Sequence, residues 1–297
     1  MTIEKKATVV SSSVATLLVI IKMTIGILSG SVAVLASAID SMLDLCVSLF
    51  NYFALNNAGK DPDNLFNYGR NKMEPLAAVI EGTIISFSAL FILYEALNKI
   101  ARPQEIEFVG VSIVVMFVSL IITTFLVIYL NRVAKKTGNM VIKADALHYK
   151  TDIFSNGTVL LALGLISVTA EQIIDPILGI AISGYMIYSS MPIIKEGMLM
   201  LLDVALVEED IEKIKTIIED DKTVTNYHHL RTRASGSHIF ISVHLVFNVS
   251  ISLYDAHLVS DKIEDKIKKL FSDKKVHVLM HMDPYDDSEI NDVEDLY

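Results

Sequence analysis

Six apolar stretches, each about long enough to cross a bilayer, constrain this chain more than any other feature. A helix spanning the hydrocarbon core takes about 20 residues. Such runs are read at roughly 7–29, 32–55, 75–98, 107–132, 142–168 and 173–194. The third opens on Pro75, which suits a first helical turn, and the sixth carries Asp175-Pro176 just inside its start. Only Leu28-Ser29-Gly30-Ser31 separates the first two, a tight hairpin. The first run is too long for a signal-peptide core and lacks a small-residue cleavage site, so it is read as a retained span. These runs predict a polytopic α-helical membrane protein with six transmembrane helices over residues 1–202.

The chain's averages hide a second part. Of its 297 residues 52% are hydrophobic and the net charge is −10. Residues 1–202 hold 14 Lys and Arg against 15 Asp and Glu, whereas residues 203–297 hold 11 against 20. That acidic balance excludes the strongly basic surface of a nucleic-acid binder. A single cysteine, Cys46, excludes an internal disulfide framework and a Cys-rich zinc module.

Orientation follows from Lys and Arg. The N-terminus (Lys5, Lys6), the 55–74 loop (Lys60, Arg70, Lys72), the 132–143 segment (Arg132, Lys135, Lys136, Lys143) and Lys195 fall on one side, against Lys99 and Arg102 on the other. Cytoplasmic loops carry the excess, so both termini are expected in the cytoplasm.

Ionisable groups at membrane depth are costly and mark function. Asp40 and Asp44 in the second span are four apart and share a helical face, as do His148 and Asp152 in the fifth. His148 is the only histidine of the membrane part. Two like charges a turn apart need compensation, and a dication shared by both pairs supplies it. Three carboxylates and one imidazole suit tetrahedral Zn2+, while Fe2+, Mn2+, Co2+ and Cd2+ fit the same donors. The plainer alternative is that these groups satisfy one another through interhelical hydrogen bonds; two separate pairs argue against it. Lys22 and Glu81 are read as local pairs or snorkelling groups. Glu95 is placed near the outer end of its span, and Asp145 on the path by which an ion reaches the site. Lys150 points away from the metal face and is expected to pair with a carboxylate of another span or of a second subunit.

The remaining seven histidines lie in the acidic tail. Helical spacing over about 208–220, strands near 227–234 and 238–248, a helix near 254–271 and a strand near 276–282 predict an α-β-β-α-β order. That order reads as a cytoplasmic α+β ferredoxin-like domain over 203–285. Residues 286–297 read as an acidic, disordered tail. His281 and Asp283 share one side of a strand end, with His244 on a neighbouring strand. His228 and His257 converge on them only if the fold brings them there.

Taken together these residues resemble the cation diffusion facilitator family, in particular its bacterial zinc and ferrous-iron efflux type. The resemblance covers nearly the whole chain and is carried by Gly30-Ser31-Val32-Ala33, Asp40-x-x-x-Asp44, Tyr68 through Ala77, His148-x-x-x-Asp152 and His229-Leu230-Arg231-Thr232-Arg233. It implies a transport site at Asp40, Asp44, His148 and Asp152, with zinc-type selectivity because manganese-type members usually have an acid where His148 stands. It implies a cytoplasmic metal site at His228, His244, His257, His281 and Asp283. It also implies a homodimer in the inner membrane of a prokaryote, with a charge interlock mapping onto Lys72 and Asp203. In one loop the chain departs from the family. Relatives bind a further metal there through Asp-x-x-His-x-x-x-His, but this chain has Phe66 and Arg70 in the histidine places. Only Asp63 survives, so no metal is expected in this loop.

The expected function is proton-coupled efflux of a divalent metal by alternating access, with protons as counter-ion. His148 is the best exchanger, since its reference pKa of about 6.5 lies near ambient pH. The alternative is a membrane-bound metal sensor or scaffold whose cytoplasmic domain recruits a partner. An intramembrane metallohydrolase is disfavoured because no His-Glu-x-x-His occurs. The chain is expected to be a secondary transporter and not an enzyme.

Overall fold

The computed structural model describes residues 2–29, 32–102, 110–169, 171, 173–272 and 274–287. Six long helices come first: α1 (Ile3–Ser29), α2 (Val32–Ala58), α3 (Met73–Ala101), α4 (Gly110–Thr137), α5 (Met140–Thr169) and α6 (Ile174–Leu201). They are followed by α7 (Glu208–Glu219), β1 (Val224–Ser235), β2 (His238–Phe247), α8 (Leu253–Leu270) and β3 (Lys275–Asp283). The chain divides into two units, Met1–Met198 and Leu199–Tyr297.

In the first unit, α1, α2, α3, α4 and α6 are each long and apolar enough to cross a membrane. The remaining helix, α5, matches them in length but carries Lys143, Asp145, His148, Lys150 and Asp152. The observed helices extend past the apolar runs: α4 continues to Lys135-Lys136-Thr137 and α6 through Lys195-Glu196. An apolar run measures the hydrocarbon thickness, while a helix keeps its hydrogen bonds beyond it. The hairpin residues Gly30 and Ser31, and 107–109 of the fourth run, lie outside the described residues.

Large apolar side chains such as Ile27, Phe87, Phe125 and Tyr188 point outward, the pattern of a surface in contact with lipid. The interior is built from small residues, with Ala7, Ala54, Ala77, Val141 and Ala146 around Leu130 and Tyr149. Lipid offers no hydrophobic drive for helix association, so close packing supplies it. Gly82 and Gly197 show this where α3 meets α6. A Cβ at Gly197 would lie 2.6 Å from Val79 Cγ2, and one at Gly82 would lie 2.8 Å from Ile194 Cγ1.

The second unit has the α-β-β-α-β order of an open ferredoxin-like sandwich, with sheet order β1-β2-β3, β1 and β2 antiparallel, and β2 and β3 parallel. Ile239, Ile241, Val243 and Leu245 of β2 pack with Ile214 and Ile218 of α7 and Ile263 and Ile267 of α8. Ser252 caps α8 by accepting from Asp255 N at 3.1 Å and donating to Asp255 Oδ2 at 2.5 Å, a reciprocal pairing akin to a capping box. Asp286 and Asp287, read above as the start of a disordered tail, instead lie against β1: Asn226 Nδ2 donates to Asp286 Oδ2 at 2.6 Å. Residues 288–297 of that expected tail lie outside the described residues.

Candidate metal centres

In the membrane unit α2 and α5 carry the first cluster. Asp44, His148 and Asp152 each offer one ligand atom, and all three atoms lie within 4.8 Å of one another. His148 Nε2 is 3.2 Å from Asp44 Oδ1 and 4.0 Å from Asp152 Oδ2. His148 is only 8% exposed, and its backbone carbonyl accepts from Thr151 Oγ1 at 2.7 Å.

The structure does not bring Asp40 into this group. Asp40 is exposed on the wall of the same cavity, which has a volume of about 520 Å³. Four residues along a helix shift a side chain by about 6 Å, so sharing a face with Asp44 does not place both carboxylates on one point. Lys22 also lines this cavity. It is buried, and its Nζ donates to Ser41 Oγ at 2.8 Å and to the Ser37 carbonyl at 3.4 Å. Of the two expectations for Lys22, local pairing is what is seen rather than snorkelling, and its ammonium stands inside the cavity. Sequence placed Lys22 in the right helix but gave no register against α2.

Glu81 and Asp145 form a second buried set. Asn51 Nδ2 donates to Glu81 Oε2 at 3.0 Å and to Asp145 Oδ1 at 3.3 Å. Asp145 is fully buried rather than lining an open path. Next to the first cluster, Tyr149 is 1% exposed and its hydroxyl is 2.8 Å from Ser48 Oγ. Lys150 Nζ lies 5.5 Å from the Phe154 ring centre and 5.6 Å from that of Tyr185. Aromatic faces, which attract cations, thus stand beside Lys150 within this chain.

In the loop before α3, Arg70 Nη2 is 2.6 Å from Asp63 Oδ2 and its guanidinium lies over Phe66 at 4.1 Å. Asp63 Oδ1 accepts from the backbone of Leu65 and Phe66 at 3.0 and 2.8 Å. The Phe66 N–H and the Arg70 guanidinium hold the Asp63 carboxyl below the usual range. An internal cation occupies this carboxylate. Lys72 takes the N-cap position of α3. Asp203, in the second unit, adopts a left-handed backbone (φ 58°) and accepts from Arg233 Nη1 at 3.0 Å.

The sheet builds the second cluster by register. His228 pairs across to His244, and His244 to His281, so one row of histidines crosses all three strands. A bulge follows His228, where His229 has φ 50°. Asp283, 6% exposed, sits at the end of β3. Its Oδ2 is 2.9 Å from His244 Nδ1 and 3.4 Å from His228 Nε2, and its Oδ1 is 3.1 Å from His281 Nε2. His228 Nε2 is also 3.1 Å from Asp287 Oδ1. Yet neither approach to His228 has hydrogen-bond geometry, and both of its ring nitrogens are buried without a hydrogen-bond partner. Buried nitrogens left in that state suit a metal ion.

His228, His244, Asp283 and Asp287 are the four residues whose ligand atoms converge within 4.8 Å. His281 joins them by stacking on His244, ring centres 4.6 Å apart. His257 does not: it is exposed on α8, with Nε2 3.7 Å from Asp261 Oδ2. Sequence reasoning missed Asp287, because nothing in an acidic terminal stretch tells which residue turns back to the sheet. It also passed over His229, whose ring lies 4.8 Å from that of His228; the adjacent His-His pair was the available signal.

Comparison with known proteins accounts for this layout. Residues 8–202 match the family described as the cation efflux transmembrane domain, and residues 206–285 match the cation efflux protein cytoplasmic domain. A "Cation-efflux pump FieF" of Klebsiella pneumoniae subsp. pneumoniae is 33% identical over 279 residues, covering 94% of this chain and 92% of the relative. The protein of that name in Escherichia coli O1:K1 is 34% identical with the same coverage. A multi-pass membrane transporter of the cation diffusion facilitator family, built from a helical membrane domain and a cytoplasmic α-β-β-α-β domain, is thus what this chain is.

Proposed function

We propose that the chain exports a divalent metal ion from the cytoplasm in exchange for protons by alternating access. The observation that carries this reading is the convergence of Asp44, His148 and Asp152 in a cavity at the middle of the helices. Three protein donors leave a position on a tetrahedral ion for water, which keeps a cargo ion exchangeable. Asp40, a turn away on the cavity wall, is the next carboxylate the departing ion meets. Zn2+ is the favoured cargo because an imidazole takes part, with Fe2+, Cd2+, Co2+ and Mn2+ as competitors.

Proton exchange follows from the ligands. A metal ligand must be deprotonated, so metal and protons compete for the same atoms. His148 has an intrinsic affinity for protons suited to physiological pH. Metal leaves outward as protons arrive, and protons leave inward as metal arrives. The distribution of Lys and Arg, ten against two, supports cytoplasmic termini. The relatives named above support an inner-membrane location.

The second unit serves as the dimerisation and metal-sensing part of a homodimer. The family match over 206–285 and the His228-His244-Asp283-Asp287 cluster support this. That cluster also favours the second reading, a membrane-bound sensor or scaffold that recruits a partner. A liposome assay separates the two. Full-length protein in proteoliposomes, offered Zn2+, Fe2+, Mn2+, Cd2+ and Co2+ in turn with a pH-sensitive dye, should show metal flux with opposing proton flux. Metal binding without flux of any ion favours the sensor.

A further inference from the structure

The cavity around Asp44, His148 and Asp152 is one-sided. α1 runs from the N-terminus to the end of the bundle where α2 begins, and by the alternation of the helices α3 and α5 end there too. Ser37 and Asp40 of α2, Phe91 of α3 and Ser155 of α5 therefore lie on that side of the three ligands, and all four line the cavity. Toward the end bearing the terminus, the next turn of α5 brings Asp145, and there Asn51, Glu81 and Asp145 close the space between α2, α3 and α5. Each is at most 1% exposed.

Their hydrogen-bond accounting does not balance. The single Asn51 amide donates to Glu81 Oε2 and to Asp145 Oδ1. Asn51 Oδ1, Glu81 Oε1 and Asp145 Oδ2 are each buried with no hydrogen-bond partner. Ser11 of α1 is within hydrogen-bond reach of the Asp145 carboxyl and of the Thr8 carbonyl, to which its hydroxyl donates at 3.1 Å, and its one proton serves only one of them at a time. Asp145 is the charge that acts most strongly on Glu81, followed by His148 and Asp152 of α5, and Asp145 in turn feels His148 and Asp44. Lys22 of α1 acts instead on the other side, at Asp40, Asp44 and Asp152.

An acceptor buried without a donor is costly, and two ionised carboxylates sharing one buried amide repel. A proton on one carboxyl meets both shortages, adding a donor and removing a charge. We infer that Glu81 and Asp145, bridged by Asn51, are a proton-holding site built into the closure on the terminus side of the transport cavity. The pair holds one proton while α2, α3 and α5 are closed there. When they part, the O–H bond breaks and the proton passes to water on that side. Two carboxylates and the Asn51 carbonyl oxygen then face the arriving divalent cation. This inference rests on the transport reading above for its role, but not for the proton itself.

The test uses full-length protein in lipid, with two readouts. Infrared spectroscopy at neutral pH should show the C=O band of a protonated carboxyl, resistant to exchange in deuterated buffer, and Glu81→Gln and Asp145→Asn should each lose it. In proteoliposomes loaded with Zn2+, pH steps on the terminus side should change the wild-type rate by up to about tenfold per pH unit, the limit for one linked proton. The same steps should leave the rate of either variant about level. Asp145→Asn carries the test should Glu81→Gln fail to fold. A wild-type spectrum without the band, or a band that survives both substitutions, overturns the proton site. An unchanged pH profile in the variants overturns its place in the closure. Absence of Zn2+ flux in wild type with the band present would sink the transport reading alone and leave the proton on the pair.

Discussion

Nε2 of His148 and Oδ1 of Asp44 stand 3.2 Å apart although 104 positions separate them in the chain. One belongs to α5 and the other to α2, and Asp152 completes the group from the next turn of α5. A hydrogen bond alone would satisfy the imidazole, but it leaves two carboxylates side by side within the bilayer. A dication removes that repulsion, and removing the dication requires protons. On the proposed reading, metal and protons compete at these three side chains, and the Glu81–Asp145 pair holds a further proton on the terminus side of them.

Loss of one ligand should be felt directly in binding. Asp44→Ala is expected to weaken Zn2+ binding at the membrane site at least about tenfold, the low end of what even outer-shell losses cost. Calorimetric titration of the purified full-length protein, with the cytoplasmic cluster saturated first, checks this. Binding unchanged by the substitution would place the ion elsewhere.

Ligand type should govern selectivity. Replacing the imidazole by an oxygen donor, His148→Asp, is expected to narrow the preference for Zn2+ over Mn2+. Competition between the two ions in the same vesicles measures the ratio, and a ratio equal to wild type would deny His148 a place in selection.

Lys22 places a positive charge in the cavity that acts on Asp44, Asp152 and Asp40. Lys22→Met should raise metal affinity severalfold and slow release, since the ion no longer leaves against an ammonium. Equilibrium binding and single-turnover efflux together test it: tighter binding with slower efflux is the expected pair of changes, and weaker binding contradicts it.

Much of this arrangement was legible from the residues. The apolar runs placed all six membrane helices, and the i,i+4 pairs marked the two whose Asp44, His148 and Asp152 converge. What stayed hidden depended on rotation and register. Asp40 and Asp44 share a face, yet only Asp44 stands beside the imidazole, because a shared face does not fix the level along α2 at which α5 presents His148. The pairing of His228 with His244 and of His244 with His281 is set by strand register, which a bulge after His228 shifts. His257 failed to join because its side of α8 is exposed. Asp287 joined because the chain after β3 turns back on β1, a step with no local signal.

The cytoplasmic cluster should need its late acid. Asp287→Asn is expected to lower Zn2+ affinity there while leaving the membrane site unchanged, and Asp283→Ala should do more, since Asp283 touches three histidines. A two-site titration of the full-length protein resolves the pair; equal effects from both substitutions would count against this ordering.

The second unit should also lose stability in acid. His238 is 3.0 Å from His277, ring nitrogen to ring nitrogen. Burial, then the charges of His277 and Lys275, push its pKa down to about 4 from the ordinary value near 6.5. The folded unit thus keeps His238 neutral while the unfolded chain takes up the proton, so stability is full above about pH 6.5 and declines as pH falls toward about 4. Hydrogen exchange of β2 and β3 amides at pH 7 and pH 5 should show faster opening at the lower pH, with a smaller difference in His238→Gln. An equal difference in both proteins would assign the acid sensitivity to other groups.

The most direct measurement is stopped-flow Zn2+ flux in proteoliposomes that enclose a pH-sensitive dye, run on the wild-type protein and on Asp44→Ala side by side. Metal moving one way with protons moving the other, abolished by the substitution, is the predicted result. Coupled flux of wild-type size through Asp44→Ala would contradict it.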